Sequence, residues 1–531
     1  MASVYQSAPD VRRHEPAPSL RHAHAVEAVV AHEQALFADG VGVYGLMVRA
    51  GTAVFEVLRE RWPDAGRIAV LVGPGQNGGD GLVVARLARE AGLHVDLLGW
   101  KRPEFTRGAA RARAELAEVD LRLEVEIDEP RVRQALAEAD VVVDALFGIG
   151  LSRRIEGAPA VFLRQVGESL AACEKRPAVL AVDAPSGLDC DTGAADPLTL
   201  SADVTVTFLG VKCGQVTGAG VARCGERVLA ELDHPMTEAT AEAMRLLHGG
   251  WSLAPRPVDG HKGTFGTVLA VGGNRGMPGA VRLAAEAALR AGAGKVIVAT
   301  HPSHAATLNV GRPELIVHAV ESAEQLSALL EQVEAVIFGP GLGRDDWAVA
   351  MRDGLRDDGR PMIADADGLQ LFEAPVMATR PLVVTPHPGE AAELLGRSVS
   401  EINADRSAAV RRLADHFGGT AVLKGAGSLV ATGSETAACL RGSPALATAG
   451  SGDVLAGIIG SLLGQGFPAR EAAEGAVSLH ATAGEMEARA HGSWGVAALD
   501  LLGPLRTLLN GRAEPGPPAI TRHPSTTQRR A

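Results

Sequence analysis

At 531 residues, 46% of them apolar, the chain is too long for one ordinary core and has enough apolar mass to fill two. A formal charge of −12, with no long Lys/Arg block, opposes a phosphate backbone and excludes nucleic acid as an expected partner. No stretch offers a membrane span of ~20 apolar residues or the apolar heart of a signal peptide, and Cys173, Cys190, Cys213, Cys224 and Cys439 form no C-x-x-C pair, so a cytoplasmic protein without a membrane anchor, disulfide framework or zinc site is expected.

Residues 1–21 read as a disordered tail, mixing charges and prolines. The segments AVEAVVAHEQALFA and YGLMVRAGTAVFEVLRERW then read as helices, the first of them amphipathic. Short β-branched runs follow at Arg67–Val72, His94–Leu98, Val141–Leu146, Ala178–Val182 and Val204–Phe208, alternating with helical stretches such as GLVVARLAREAG. That rhythm predicts a mostly parallel sheet with helices on both faces, a Rossmann-like three-layer αβα sandwich over residues 22–236. Residues 237–254 break the rhythm with Gly and Pro and read as a linker. A second α/β domain is expected over 255–511, with strands at Thr267–Val271, Lys295–Ala299, Ala335–Phe338, Pro361–Ala364, Leu382–Thr385 and Thr420–Leu423 and a helical end. Residues 512–531 read as a second tail.

In the first domain, RIAVLVGPGQNGGDG is a strand, a glycine turn and a helix start, a geometry whose free amides can cradle a phosphate. Gly73, Gly75 and Gly78 spell G-x-G-x-x-G, with Asp96 downstream, which on spacing alone suggests a dinucleotide-binding dehydrogenase. Asp80 weighs against that, because it sets a carboxylate where the pyrophosphate should rest; Asp96 does too, because it lies inside its strand. Asp144 and Asp183 each end a β-rich run before a Gly- or Pro-marked turn, so Asp80, Asp144 and Asp183 can converge beyond the carboxyl ends of the strands. The competing explanation is that each caps its own helix.

In the second domain, ATAGSGDVLAGIIG leads small residues into an apolar helix with Asp453 at its start. Amides there can hold a transferring phosphoryl group while the carboxylate accepts a hydroxyl proton; an aspartate N-cap is the alternative. VLKGAGSLV, VVTPHPGEAAELLG and VIFGPGLGRD each end a strand in a Gly- or Pro-rich turn, and HKGTFGTVLAVGGNRGMPGAVRLAAEAALRAGAG opens the domain with a strand, a glycine turn and a helix of small residues. Of 51 basic residues only six are lysines, and Lys212, Lys262 and Lys424 fall in such segments, where a compact ammonium has a use.

GPGQNGGDG, DALFGIG, VDAPSGLDCDTG and ADVTVTFLGVKCG, in that order, resemble the NAD(P)H-hydrate epimerases over residues 22–236, and the later motifs resemble the ADP-dependent NAD(P)H-hydrate dehydratases of the ribokinase-like fold over about residues 255–510. The first resemblance implies that Gln76, Asn77, Gly78, Gly79, Asp80, the loop Gly148, Ile149, Gly150, Leu151, Ser152, Arg153 and Arg154, and Asp183 bind the hydrated cofactor. It further implies that Asn77, Asp144 and Ser186 hold potassium and that Asp183 is the acid/base, which requires burial to lift its carboxyl toward neutrality. Lys212 then orients the substrate phosphate or Asp183, or else faces solvent. The second resemblance implies substrate contacts from Ala280, Gly341, His387 and Asp453, nucleotide contacts from Lys424, Gly425, Ala426, Gly427, Ser428 and Gly452, and magnesium with ADP as co-substrate. Asp453 is then the catalytic base. Gln76 and Gln370 stand where these families usually carry Asn. The expected partners are NADHX, NADPHX, ADP and further copies of the chain. An alternative for the second domain is a sugar or vitamin kinase, beside a ligand-sensing first domain.

Overall fold

Aliphatic and β-branched runs form strands where their pattern placed them. The computed structural model describes residues 8–13, 15–101, 104–151, 153–372, 380–513 and 516–524. The chain divides into two compact units, one of residues 16–245 with 519–531 and the other of residues 1–15 with 246–518.

The first unit is built on strands β1 (Arg67–Val72), β2 (His94–Gly99), β3 (Glu124–Val125), β4 (Val141–Ala145), β5 (Ala178–Val182), β6 (Val204–Phe208) and β7 (Glu226–Ala230), joined at the β7 edge by a C-terminal strand, Ile520–His523. Its eight strands are all parallel, in the order C-terminal strand, β7, β6, β5, β4, β1, β2, β3. Strand periodicity splits β1 between two cores: Ile68, Val70 and Val72 face one, and Ala69 and Leu71 the other. Helices α1 (Val26–Ala38), α2 (Val43–Arg61) and α3 (Gln76–Glu90) supply residues to the first core or its border, and α4 (Ala158–Ala172) supplies the second. Strand order reverses at β1, whose neighbours are β2 and β4, so the loops leaving β1 and β4 flank the crevice where such sheets bind ligands.

The second unit repeats the principle with β8 (Thr267–Val271), β9 (Lys295–Thr300), β10 (Ile316–Ala319), β11 (Ala335–Phe338), β12 (Met362–Ala364), β13 (Leu382–Val384), β14 (Thr420–Leu423), β15 (Leu429–Thr432) and β16 (Glu435–Cys439). They lie in the order β10, β9, β8, β11, β12, β13, β14, β15, β16, parallel up to β14 and antiparallel beyond it. Helices α5 (Pro278–Arg290), α6 (Pro388–Leu395), α7 (Arg406–Phe417), α8 (Ser451–Gly464) and α9 (Ala469–His491) surround the ligand end or the core. Gly457 of α8 sits so close to α5 that a Cβ there would lie 2.2 Å from the Ala284 carbonyl oxygen, and this fixes where α8 begins relative to the sheet.

Three stretches differ from the expected tails and linker. Val11–Arg12 pairs antiparallel with Ser252–Leu253, which also puts structure into the 237–254 segment. Pro18–Leu20 forms a 3₁₀ turn. Ile520–His523 is a strand because Ile520 is fully buried, Arg522 donates two 2.7 Å hydrogen bonds to Glu231, and His523 Nε2 lies 3.1 Å from Glu56. Among the described residues no helix is long and apolar enough to cross a membrane.

Candidate active sites

At the reversal point of the first unit, the turn after β1 presses on the turn after β4. A Cβ on Gly73 would lie 1.7 Å from the Leu146 carbonyl oxygen, so only glycine permits this approach. Between these turns opens a cavity of about 710 Å³. Of the residues expected to bind substrate, Gln76, Asn77, Asp80, Gly148, Ile149, Gly150, Leu151, Arg153 and Asp183 border it. Gly78 and Gly79 are buried in the helix start, packed against Gly73 and Met47, and Arg154 is exposed. Ser152 lies outside the described residues. The Gln76 amide donates to the Thr106 carbonyl at 3.3 Å, so the longer side chain is anchored away from the helix start.

Asp144 is fully buried at the end of β4. Its carboxylate accepts from the Ser186 amide (2.8 Å), the Ser186 hydroxyl (2.6 Å) and the Leu146 amide (3.3 Å). Burial pushes its carboxyl above the usual range, the Ser186 and Leu146 bonds acting the other way. Asn77 stands against the loop after β4, its Oδ1 3.1 Å from where a Gly148 Cβ would be, and its buried amide nitrogen has no partner among the described residues.

Asp183 follows β5 in a left-handed conformation (φ +64°), unusual for a residue with a side chain. Its surroundings impose this shape: its amide donates to the Val206 carbonyl at 2.8 Å, and the Gln215 side chain donates to its carbonyl at 2.8 Å. Lys212 is the basic partner. Its backbone pairs with the short strand His22–His24, and its fully buried ammonium donates to Asp183 Oδ1 (2.5 Å), Thr207 Oγ1 (2.8 Å) and the Phe208 carbonyl (3.0 Å). The solvent-facing alternative for Lys212 is thereby excluded. Sequence reasoning missed Glu33 of α1 and Arg107, the first residue of the helix Arg107–Glu115, which also border the cavity; neither lies in a glycine-marked motif.

In the second unit the site residues again leave the carboxyl ends of strands. Gly341 (φ +61°) approaches Ala280, where added and existing Cβ atoms would be 3.2 Å apart, so these two expected substrate contacts are together at the β8–β11 reversal. His387 caps α6: its Nδ1 accepts from the Gly389 and Glu390 amides, while Nε2 lies 3.5 Å from Glu390. Lys424, after β14, donates to Asp365 at 2.8 Å and lies 3.8 Å from Glu390. The loop through Gly425 (φ +134°) and Gly427 (φ +60°) is held by Arg406, whose guanidinium donates to the Leu423 and Lys424 carbonyls, and by Ser428, whose hydroxyl donates to the Gly425 carbonyl. Ala426 is exposed on it.

Asp453 sits in the first turn of α8. A Cβ on neighbouring Gly452 would be 3.4 Å from the Lys424 ammonium and 3.6 Å from Asp365, which unites the base, the nucleotide loop and the end of β12. Burial and the charge of Asp365 lift the Asp453 carboxyl to about 7, with Lys424 opposing. His480 accepts from or donates to Ser451 at 3.1 Å, bracing the start of α8; burial lowers it to about 4, so it is a neutral imidazole there. Asp365 and Glu390 were not singled out from the sequence, although Glu390 lies in the quoted segment VVTPHPGEAAELLG and Asp365 directly follows the strand expected at Pro361–Ala364. Gln370 bonds Glu393 on the surface, so its departure from Asn touches a surface contact.

Each unit is thus a parallel-sheet α/β module with acidic and basic side chains gathered at its strand-order reversal, the second with a phosphoryl-transfer layout. Residues 43–214 match the family described as YjeF-related protein N-terminus, and residues 268–506 match the family described as NAD(P)H-hydrate dehydratase. The chain is 40% identical to the bifunctional NAD(P)H-hydrate repair enzyme Nnr of Coxiella burnetii, over 89% of this chain and 96% of that one. It is 39% identical to Nnr of Escherichia coli, over 89% and 90%. The solved ADP/ATP-dependent NAD(P)H-hydrate dehydratase from Bacillus subtilis, co-crystallised with ATP and magnesium, is 29% identical with a TM-score of 0.45, over 48% of this chain and 93% of that one. The chain belongs to the bifunctional NAD(P)H-hydrate repair enzymes.

Proposed function

We propose that the chain returns both epimers of hydrated NADH and NADPH to usable cofactor, the first unit interconverting the epimers and the second dehydrating one of them with ADP, giving AMP and phosphate. The observation that carries the reading is the grouping of Asp453, Lys424 and Asp365, with the Asp453 carboxyl lifted to about 7, where a general base works best at neutral pH. Asp453 takes the proton of the substrate's C6 hydroxyl as its oxygen attacks the β-phosphorus of ADP. AMP departs, and the ring nitrogen then expels phosphate, a better leaving group than hydroxide. Gly452 and the α8 amides face the transferring group, Lys424 to Ser428 hold the nucleotide, and Ala280, Gly341 and His387 hold the hydrated nicotinamide.

In the first unit, Asp183 exchanges a proton with the water that adds to the ring, its carboxylate aimed by Lys212. A monovalent cation fits in the same unit: Asp144 is a buried carboxylate that accepts from a hydroxyl and two amides and makes no ion pair with a described residue, and Asn77 lies against Gly148, in the loop whose Phe147 amide donates to Ser186. Asn77, Asp144 and Ser186 would hold potassium, which supplies the positive charge that pairs with Asp144. Magnesium takes one or two carboxylates and otherwise phosphates and water, and the second unit gathers Asp365 and Glu390 around Lys424. Asp365 and Glu390 would hold it, and it neutralises charge on the nucleotide phosphates.

The test is to incubate the protein with mixed hydrate epimers and ADP. Full recovery of NADH absorbance from both epimers supports the assignment; accumulation of a phosphorylated small molecule without such recovery favours the kinase alternative.

A further inference from the structure

The cavity of the first unit holds more acid than one proton exchange requires. Its charged and titratable walls are Glu33 from α1, Asp80 from α3, Arg107 and Arg153 from neighbouring segments, Asp183 and Lys212. All three N–H donors of Lys212 are committed, to Asp183, Thr207 and Phe208. The side chains of Asp80 and Glu33 make no hydrogen bond or ion pair with any described residue and open on the same space as apolar Val29, Met47 and Ala50.

Such surroundings disfavour the charged form of a carboxyl. Burial first, then the charges of Asp183 and Glu33, push Asp80 well above the usual carboxylate range. Burial and Asp183 also raise Glu33, with Lys212 and Arg107 partly offsetting them. The cavity therefore presents carboxyls of two kinds: one bound to an ammonium, and two whose side chains have no ion-pair partner among the described residues and whose charged form burial disfavours.

Moving the C6 hydroxyl from one ring face to the other needs both kinds. The departing oxygen needs a proton donor, and the water that re-adds needs an acceptor. We propose that Asp80 is a second catalytic carboxyl, the proton donor that releases the C6 hydroxyl as water, while Asp183 accepts the proton of the re-adding water and Glu33 returns it through exchange with solvent. In the first half, the Asp80 O–H bond breaks, the proton joins the hydroxyl oxygen, and the C6–O bond breaks with its electron pair leaving on water. The ring-nitrogen lone pair becomes the C6–N π bond. In the second half, water forms a new C6–O bond on the other face, the π pair returns to nitrogen, and the spare proton passes to Asp183. Asp80 is then a carboxylate and Asp183 is protonated; Glu33, half-buried at the same cavity, carries the proton between them and solvent.

This assignment rests on the epimerase reading of the site, and the experiment separates the two. Epimer-resolved chromatography of NADH hydrate gives rates for the full-length wild type and for Asp80→Asn, Asp80→Glu and Glu33→Gln, with dehydration by the same samples as the control for folding. Asp80→Asn is expected to lower kcat for epimerisation by about 10²–10⁴-fold, with KM little changed and the alkaline fall of the pH profile abolished. Asp80→Glu should recover part of the rate, and added acetic acid buffer should recover part of the Glu33→Gln loss. Epimerisation by Asp80→Asn at the wild-type rate, or with an unchanged alkaline limb, overturns the assignment alone. Absence of epimerisation in the wild type overturns the functional reading and this assignment with it.

Discussion

Replacing Asp453 by Asn tests both the chemistry and the electrostatics of the second unit. The carboxyl is lifted from an ordinary 3.8 to about 7 in the folded protein. A carboxyl with a raised folded value favours folding fully only below its unfolded value, and that contribution is lost as pH climbs through about 7. Between pH 4 and pH 8 the charged form therefore costs the native state about 2–4 kcal/mol, which the neutral amide does not. Asp453→Asn should melt above the wild type at pH 8, by less than half that margin at pH 5, and level with it below about pH 4. The same variant should lose dehydration by about 10²–10⁴-fold and keep epimerisation. In the wild type, dehydration under kcat/KM conditions should rise about tenfold from pH 6 to pH 8 as the base deprotonates. Melting curves at the two pH values and separate assays of the two activities decide the matter. A variant no more stable than the wild type at pH 8, or one that loses both activities with its fold intact, would refute the argument.

Three further outcomes are expected. Lys212→Met leaves Asp183 buried beside its vacated ammonium position and should cost about 3–5 kcal/mol as well as epimerisation, which a chemical melt will show; an unchanged midpoint contradicts the ion pair's role. Exchanging potassium for lithium at equal ionic strength should weaken substrate binding in the epimerase assay and leave dehydration unaltered, and equal epimerisation in the two salts removes the cation from the Asp144 site. ADP should outperform ATP in NADH recovery, because an extra phosphate displaces the reacting group from the start of α8, and an ångström of misplacement costs about a hundredfold; purified ATP acting faster would reverse that assignment.

The β/α alternation made most of both sheets legible: β1, β5, β6, β8, β11 and β14 have the bounds that their aliphatic runs mark out. Asp144, Asp183 and Asp453 were legible because each ends a strand or opens a helix next to glycine. What the sequence hid depends on tertiary partners. ITRH at 520–523 is too short and too polar to announce a strand, and only the edge of β7 and the acid of Glu231 make it one. Lys212 reads equally well as surface or core until Thr207, Phe208 and Asp183 surround it. Burial beside Asp183 and Glu33 raises the carboxyl of Asp80, a residue that the sequence marked only as substrate-binding.

The strand Ile520–His523 also sets the timing of folding on the ribosome. The first unit's β7 is made about 290 residues before the strand that covers its edge, so at ordinary translation speeds it waits about 15–60 s with open amides and carbonyls. An uncovered parallel edge is a template for another chain, and crowded nascent chains on one messenger are the nearest candidates. Residues 16–245 produced alone would keep that edge open permanently, whereas a chain that reaches residue 523 closes it with Ile520–His523. Early termination anywhere after β7 therefore damages the first unit even when every residue that touches its substrate has already been made.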